Sequence, residues 1–308
     1  MGGRYLIEPF LSVYGHVAID QILRVREFPK DNTSVDVIDK STHLGGTGSN
    51  IAVVASRLGV PTALCAFVGM DFPKKFDDII SDAGVITDEF LKVEGFDTSQ
   101  ALVANDENLT QKVLFYQGPQ GFASKTGIIL DKNASKSKHI HFCTGEPQYY
   151  IDIMKGLNGI VAIDPAQEVH RIWNEGYLKD AMQYSDYLFC NRYEFESVRK
   201  YLKIDDIGDV NLPLAVCTCG SEGSIAVIDG ERFNIPVVKA DRVVDATGAG
   251  DSYRAGFYAG LYHGYDVHES LVIASSVSSF IVEEYGSMTA SPTWDDVLER
   301  ADPYLREI

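Results

Sequence analysis

Short apolar segments that alternate with helical sequence constrain the fold of this chain more than any other feature. From residue 138 onward, each apolar segment ends at Gly, Asp or Asn and is followed by polar or helical sequence. Continuous apolar strands separated by helices are typical of a parallel sheet with helices on both faces. The sequence therefore predicts the α/β fold class. The four segments are "HIHFCTG", "GIVAID", "YLFCN" and "PLAVCTCG".

The carboxyl ends of these strands are the expected place for a binding site, because parallel α/β sheets bind their ligands there. Glu146, Asp164 and Asn191 follow three of the strands, and "TCGSEG" follows the fourth. Asp164 is interpreted as a residue of a strand-end turn rather than as a ligand contact.

The first 125 residues mix strand-like pieces with turns and contain one clear helical pattern. "GGTGSNIAVVASRLGV" is a glycine turn followed by apolar residues at helical spacing, namely Ile51, Val54, Ala55 and Leu58. "TALCAFVG" predicts a buried strand, and "KVLFYQG" is rich in residues that favour strands. Near the end of the chain, "SLVIASSVSSFIVEE" predicts a helix that lies against the sheet.

The balance of charges excludes two classes of partner. The chain of 308 residues carries a net charge of -17, from 27 basic and 44 acidic residues. Such a surface repels nucleic-acid backbones and anionic lipids, so neither nucleic acid nor a membrane is expected as a partner. No apolar stretch reaches the length of a membrane span, and the first ten residues lack the apolar core of a signal peptide.

The cysteines predict a reducing, cytoplasmic location, because they are odd in number and lie in or beside apolar segments. His139, His141 and Cys143 alternate along one strand and could hold a metal ion, but an apolar strand more often buries such groups. No metal site is therefore expected there. The cysteines are Cys65, Cys143, Cys190, Cys217 and Cys219.

The segment 245–257, "DATGAGDSYRAGF", carries the main chemical prediction. Its small residues predict a turn of free backbone amides ahead of a helix that begins near Ser252. Such a turn attracts anions and stabilises the charge on a phosphoryl group during transfer. Asp251 at its edge would accept the proton of an attacking hydroxyl. The alternative is an ordinary helix N-cap, for which Asp is a favoured residue.

Asn191 and Glu194 in "NRYEFESV" are three residues apart at the start of a predicted helix. That spacing is typical of a capping box, and capping alone would explain the pair.

Two segments resemble the signatures of the PfkB, or ribokinase-like, family of small-molecule kinases. "DATGAGDSYRAGF" resembles the second signature and "GGTGSNIAVVASRLG" the first, in the order that the family shows. Further segments, including "HFCTGEP", "IDPAQE" and "CNRYEFE", are most similar to the archaeal branch of broad-specificity nucleoside kinases. The resemblance implies a ribokinase-like three-layer α/β/α sandwich with a central, mostly parallel sheet and a small β-sheet lid.

The resemblance also implies how the chain is organised. Residues 1–308 would form a single kinase domain, with lid segments at approximately 16–45 and 98–125. A sheet that serves as a lid has exposed edges, so pairing of two lids into a homodimer is expected. A monovalent cation near Asp245 and Thr247 is known in parts of the family, and the sequence leaves it open.

The catalytic roles implied by the resemblance fall on the second signature. Asp251 would be the general base, and the amides of Gly248, Ala249 and Gly250 would form the anion hole. ATP would be the phosphoryl donor, together with Mg²⁺.

The nucleotide-binding residues implied by the resemblance lie on two strand-end turns. The Asn-x-x-Glu motif would order magnesium and the phosphates through Asn191 and Glu194, the latter through water. "CTCGSEGS" resembles a nucleotide-carrying turn with Thr218, Gly220 and Gly223.

The acceptor would be a polyol held by directional hydrogen bonds from a carboxylate and an amide. The resemblance implies a nucleoside phosphorylated at its 5′-hydroxyl. A ribokinase- or fructokinase-type sugar kinase is the alternative, and a non-catalytic sugar sensor on the same fold is the third interpretation. The acceptor-binding residues implied are Asp20, Gly45, Gly46, Asn50, Gln111 and Glu146.

Overall fold

The computed structural model describes residues 8–108 and 110–308. The first seven residues, on which the expectation about a signal peptide depends, lie outside this range. The strands are β1 Leu11–Tyr14, β2 Ala18–Val25, β3 Val37–Gly45, β4 Thr62–Gly69, β5 Phe90–Val93, β6 Ser99–Asn105, β7 Gln111–Tyr116, β8 His139–Phe142, β9 Ile160–Ile163, β10 Tyr187–Asn191, β11 Leu214–Thr218, β12 Ser224–Ile228 and β13 Glu231–Ile235. The helices are α1 Thr47–Arg57, α2 Lys74–Asp82, α3 Pro147–Met154, α4 Glu175–Met182, α5 Arg192–Leu202, α6 Ala249–Tyr262, α7 Val267–Ile281 and α8 Trp294–Leu305.

The central sheet has nine strands in the order β13-β12-β11-β10-β9-β8-β1-β4-β5. Neighbours from β11 to β5 are parallel, and the edge strands β12 and β13 are antiparallel. The four apolar segments of the sequence analysis are β8 to β11. Their order along the chain is their order in the sheet, because each helical connection returns the chain to the neighbouring position.

Two hydrophobic cores, one on each face of the central sheet, produce the three layers. Val13 of β1 belongs to the core under α1, α6 and α7, whereas the next residue, Tyr14, belongs to the core under α3, α4 and α5. Because successive side chains of a strand point to opposite faces, a strand buried on both faces must be apolar throughout. The predicted α/β/α sandwich is confirmed.

A second sheet of four strands, in the order β3-β2-β6-β7, stands apart from the central one. Strands β2 and β6 are parallel, and the outer strands pair with them antiparallel. This is the small sheet that the sequence analysis expects, and β3 and β7 are its open edges.

The helix α7, which carries the segment "SLVIASSVSSFIVEE", shares a hydrophobic core with the central sheet and with other helices. α7 packs mainly against α6 and α8 and meets the central sheet at the edge strand β13. Its almost uninterrupted apolar sequence follows from this position between two helices, which leaves little of it exposed. Among the described residues, no helix has the combination of length and apolar character needed to span a lipid bilayer.

Candidate active site

One large cavity lies between the carboxyl ends of the central strands and the second sheet. Its volume is about 780 Å³, and its lining comes from both sheets and from the first turn of α6. Parallel α/β sheets bind their ligands at this edge. The cavity is therefore the candidate site of this chain.

A turn stabilised by Asp245 presents α6 to the cavity. One carboxylate oxygen of Asp245 accepts a hydrogen bond from the Thr247 amide at 2.9 Å, and the other accepts one from the Gly286 amide at 3.0 Å. Gly248 is the N-cap of α6 with a φ of 77°, and a Cβ there would lie 2.3 Å from the Cβ of Ser287. Only glycine fits this bend.

The residues of this turn do not all face the cavity, which is lined by Ala246, Thr247, Gly248, Gly250 and Asp251. The amide of Ala249 donates instead to the carbonyl of Ala246 at 3.2 Å. The structure therefore does not support Ala249 as a donor of the anion hole, because its N–H is bonded within the turn. The helix begins at Ala249 rather than near Ser252, so Asp251 lies in its first turn.

Asn50 orients the carboxylate of Asp251. Asn50 Nδ2 donates to Asp251 Oδ2 at 2.7 Å, and Asn50 Oδ1 accepts a hydrogen bond from the Ser287 hydroxyl at 2.8 Å. The second bond fixes which end of the amide faces the carboxylate. Burial raises the pKa of Asp251 to about 6, although Asn50 and Arg254 oppose the shift. Such a carboxylate is ionised at neutral pH and basic enough to accept a proton.

A buried ion pair between Arg254 and Asp164 lies beside this turn, and the sequence analysis did not predict it. Arg254 Nε donates to Asp164 Oδ2 at 2.7 Å, and the two side chains are 5% and 4% exposed. Burial alone would favour the neutral form of each group, but Arg254 lowers the pKa of Asp164 and Asp164 raises that of Arg254. Both line the cavity, so Asp164 is more than a turn residue.

Asn191 and Glu194 line the cavity and also form a capping box. Asn191 Oδ1 accepts hydrogen bonds from the amides of Tyr193 and Glu194, and Glu194 Oε2 accepts one from the Asn191 amide at 2.7 Å. The capping interpretation thus describes the pair, while both side chains still reach the cavity. Burial and the nearby Asp164 raise the pKa of Glu194 to about 7. A bound cation would favour its ionised form.

The turn after β11 brings one of its three predicted residues to the cavity. Thr218 at the end of the strand lines it, whereas Gly220 begins a short 3₁₀ turn and Gly223 ends it, both outside the lining. Gly223 has a φ of 84°, and a Cβ there would lie 2.2 Å from the carbonyl oxygen of Ile235. Close packing against the backbone of β13 therefore explains why this position requires glycine.

Asp20 reaches the cavity from β2, opposite the glycines of the first signature. A Cβ at Gly45, on the neighbouring strand β3, would lie 2.1 Å from Asp20 Oδ2. Gly45 thus leaves room for the carboxylate instead of lining the cavity, which Gly46 and Asn50 do. Burial raises the pKa of Asp20 to about 6.

Two predicted acceptor contacts lie away from the cavity. Gln111 starts β7 at the exposed end of the second sheet, where its amide donates to Asn105 Oδ1 at 3.1 Å. Glu146 precedes α3, and its carboxylate accepts hydrogen bonds from the Ser124 amide at 2.7 Å and the Ser124 hydroxyl at 2.6 Å. The structure places neither residue in the site, because Gln111 is too far along its strand and Glu146 is bonded to Ser124.

The second sheet supplies an apolar wall that the sequence analysis did not identify. The guanidinium carbon of Arg171 lies 5.4 Å from the centre of the Phe115 ring on this wall, and Arg171 Nη2 donates to the buried Glu168 at 3.2 Å. This end of the cavity therefore combines apolar surface with a flat cation. The wall consists of Ala18, Ala101, Val113 and Phe115.

The oxygen atoms at the end of the cavity away from the apolar wall suit a hard cation such as magnesium. Asn191 and Glu194 offer oxygen atoms, and Asp164 Oδ1 is buried without a hydrogen-bond partner among the described residues. Within residues 8–108 and 110–308, no cluster of three or more His, Cys, Asp or Glu side chains could hold a metal ion alone. The site thus fits a cation that keeps its waters and is bound partly by the phosphates of a ligand.

Comparison with known proteins agrees with this geometry. The family model described as pfkB family carbohydrate kinase matches residues 8–294. The chain is 32% identical over 309 residues to a nucleoside kinase of Methanocaldococcus jannaschii, covering 99% of each chain, and 32% identical to one of Methanothermobacter thermautotrophicus, covering 94% of each. The crystal structure of the M. jannaschii nucleoside kinase superposes with a TM-score of 0.88 at 30% identity, over 96% of this chain and 99% of that one.

The family model spans most of the chain, and two relatives exceed 30% identity over nearly its full length. The resemblance to archaeal nucleoside kinases that the sequence indicates is therefore confirmed. Residues of both signatures line the same cavity, among them Gly46, Asn50, Gly248 and Asp251. This chain belongs to the pfkB family of carbohydrate kinases, which are phosphotransferases that act on a hydroxyl group.

Proposed function

We propose that this protein is an ATP-dependent nucleoside kinase that phosphorylates the 5′-hydroxyl of the ribose. The observation that carries the choice of acceptor is the apolar wall at one end of the cavity, with Arg171 over Phe115. A free sugar has no apolar face of that size to cover it, whereas a nucleobase is flat and stacks on aromatic rings and guanidinium groups. The similarity to proteins named nucleoside kinase supports the same acceptor.

Asp20 and Asn50 line the same cavity as the apolar wall and Asp251, and the ribose of such an acceptor would lie against them. A carboxylate accepts hydrogen bonds from two hydroxyl groups, and this agrees with the role proposed for Asp20. Asn50 has a second role in the proposal, because its amide already orients Asp251.

In the proposed reaction, Asp251 accepts the proton of the 5′-hydroxyl. The 5′-oxygen forms a bond to the γ-phosphorus, and the bond from that phosphorus to the bridging oxygen of ADP breaks, with its electron pair leaving on ADP. The amides of Gly248 and Gly250, at the positive end of α6, stabilise the negative charge of the group in transfer. The hydroxyl must lie in line with the bond that breaks, so positioning contributes as much as basicity.

Donor binding is proposed at the ends of β10 and β11. Thr218 and Asn191 offer hydrogen bonds to phosphates, and Glu194 and Asn191 would order Mg²⁺, the glutamate through water. The magnesium ion would neutralise charge on the phosphates. A monovalent cation near Asp245 and Thr247 stays a prediction. Both oxygens of the Asp245 carboxylate already accept hydrogen bonds from backbone amides.

A panel of acceptors tests the proposal. ATP and Mg²⁺ are supplied with adenosine, inosine, cytidine, ribose or fructose, and the release of ADP is followed. Nucleosides should give the highest kcat/KM. Phosphorylation of ribose or fructose but of no nucleoside would identify the sugar-kinase alternative, and binding of an acceptor without any ADP release would identify a sensor.

Replacing Phe115 by Ala should raise the KM for nucleosides by about 10- to 100-fold and leave the KM for ribose within twofold. The expected change corresponds to the roughly 1–3 kcal/mol contributed by stacking of one base on an aromatic ring. Steady-state kinetics with a nucleoside and with ribose measure the two effects in the same variant.

Tyr116→Ala is the matched control for Phe115→Ala. Tyr116 is the next residue of β7 and its exposed side chain points to the opposite face of the sheet. If both variants change nucleoside and ribose kinetics by the same factor, the loss reflects the second sheet as a whole, and Phe115 does not support a base.

We also propose that two copies pair through the second sheet, which serves as the lid. Its edge strands expose Val37 and Ile38 on β3 and Leu114 on β7. Exposed apolar side chains on an open sheet edge favour association. Sedimentation velocity should give twice the mass of the 33.9 kDa chain, and Leu114→Asp should shift it towards the monomer. A wild-type chain that sediments as a monomer at micromolar concentration would contradict this proposal.

A cytoplasmic location stays part of the proposal. All five cysteines are free thiols, and four of them are buried. Free thiols persist in reducing compartments. Fractionation of cells tests this location, and recovery of the protein outside the cytoplasm would contradict it.

A further inference from the structure

Arg254 occupies an unusual position, because its guanidinium group lies at the positive end of the helix that carries it. The residue belongs to α6 and is only 4% exposed. Its side chain runs back towards the start of the helix, where Nη1 donates to the carbonyl of Gly250 at 3.2 Å. A cation is normally unfavourable at a helix N-terminus. Its presence there requires either a strong local partner or an anionic ligand.

Hydrogen bonds within the protein use only two of the three nitrogen atoms of the Arg254 guanidinium group. Nε donates to Asp164 Oδ2 and Nη1 to Gly250, whereas Nη2 has no hydrogen-bond partner among the described residues. Arg254 nevertheless lines the cavity. Nη2 is accessible rather than buried, so it is free to make a charge-assisted hydrogen bond to an anionic ligand in the cavity.

The charges around the cavity favour an anion-binding role for Arg254 Nη2. Five carboxylates and two guanidinium groups line it. Arg171 lies against Phe115 at the apolar end, so Arg254 is the guanidinium group beside the glycine turn. A polyphosphate that enters next to Asp251, Asp164 and Glu194 would meet strong repulsion without a fixed cation at that end.

We propose that Arg254 is a catalytic residue whose Nη2 binds the phosphoryl group during its transfer, while Asp164 fixes the orientation of the guanidinium plane. This inference rests on the proposed function. The bonds formed and broken are those given above, and Arg254 exchanges no proton, because it donates hydrogen bonds to phosphoryl oxygens as their negative charge shifts. It thereby supplements the backbone amides of the turn, which carry no full charge.

A purely structural role is the competing explanation, in which Arg254 only neutralises the buried carboxylate of Asp164. Removal of one partner of a buried pair leaves an uncompensated charge and destabilises the fold, so Arg254→Gln alone does not separate the two roles. The double variant Asp164→Asn/Arg254→Gln removes both charges and keeps similar shapes. If neutralisation is the only role, the double variant regains the activity that the single variant loses.

The test compares wild type, Asp164→Asn, Arg254→Gln and the double variant. Melting temperatures identify folded variants, and kcat is measured with the acceptor that wild type phosphorylates fastest, whether nucleoside or sugar. We expect kcat to fall by about 10²- to 10³-fold in both variants that lack Arg254, the range seen when one charge-stabilising donor is removed. The affinity for the acceptor should stay within about threefold, since Arg254 lies at the phosphate end. A folded double variant with kcat within threefold of wild type would overturn the inference.

A binding measurement gives a second readout that does not depend on turnover. Aluminium fluoride together with ADP, Mg²⁺ and the acceptor mimics the phosphoryl group in transfer, and it should tighten ADP binding to wild type. That gain should be lost in the double variant, whereas ADP alone should bind both proteins similarly. An equal gain in both proteins would also overturn the role of Arg254. The variants are assayed with whichever acceptor wild type phosphorylates fastest. An error in the choice of a nucleoside as acceptor would therefore appear in the acceptor panel and would not affect the comparison of wild type with the Arg254 variants.

Discussion

Asp251→Asn is expected to lower kcat by at least about 10³-fold and to leave the affinity for nucleotide within about twofold. General-base catalysis contributes about 10²- to 10⁴-fold, and the variant also loses the carboxylate that the Asn50 amide orients. Asparagine has nearly the same shape but cannot accept the hydroxyl proton. Single-turnover kinetics with saturating ATP and acceptor measure the chemical step, and calorimetry measures nucleotide binding.

Glu146→Gln is the control for this prediction. Glu146 also carries a carboxylate that the sequence analysis assigned to the site, but the structure bonds it to Ser124 outside the cavity. Its kcat should stay within about twofold of wild type, since surface substitutions away from a site have small effects. Asp251→Asn with near wild-type turnover would remove Asp251 as the base.

The acid side of the pH profile gives a matching signature of the same base. Burial raises the pKa of Asp251 to about 6, so the ionised form that accepts a proton is depleted below that pH. The kcat/KM of wild type should therefore fall at least about tenfold per pH unit below pH 6, where the Asp20 carboxylate, with a pKa also raised by burial to about 6, loses its charge as well. A profile that stays flat down to pH 5 would contradict this assignment.

Gly46→Ala is expected to destabilise the fold by at least about 3 kcal/mol. Gly46 has a φ of 99°, a backbone conformation that costs an ordinary residue about 1–3 kcal/mol. A Cβ there would also lie 2.3 Å from the carbonyl oxygen of His16. No side-chain rotation relieves this contact, because the same carbonyl accepts the Gly48 amide at 3.0 Å and fixes the start of α1.

Gly84→Ala separates the two contributions to this loss. Gly84 has a φ of 80°, but a Cβ at this position would have no neighbouring atom within 4 Å, so alanine there meets only the backbone strain. Its expected cost is about 1–2 kcal/mol. Urea unfolding of both variants gives the two free energies. If Gly46→Ala costs no more than Gly84→Ala, the contact with His16 is not tight.

The elements with a regular pattern could be predicted from the sequence. β8 to β11 follow from apolar segments that end in Gly, Asp or Asn, and α1 follows from the spacing of Ile51, Val54, Ala55 and Leu58. Asp251 and Asn50 could be placed in one site because each lies in a recognisable signature. Local pattern and local chemistry agree for these elements, and the structure brings Asn50 and Asp251 within hydrogen-bonding distance.

The pairs that depend on distant contacts could not be predicted. Asp164 and Arg254 are separated by 90 positions, and no local pattern links a strand-end acid to a helical arginine. Glu146 has a residue type suited to a sugar contact, and only the tertiary structure shows that its carboxylate accepts a hydrogen bond from Ser124 instead. Similarly, Gly223 looks like part of a nucleotide-binding turn, whereas its close neighbour is the backbone of Ile235.

The position of the phosphate in the product tests the central claim most directly. The enzyme is incubated with ATP, Mg²⁺ and equal amounts of inosine and ribose, and the product is assigned by phosphorus–proton correlation NMR. We expect a single phosphate coupled to the two 5′ protons of the ribose, formed with one equivalent of ADP. Transfer to another hydroxyl, or phosphorylation of ribose with inosine left intact, would contradict the account of a base-binding wall that directs the 5′-hydroxyl to Asp251.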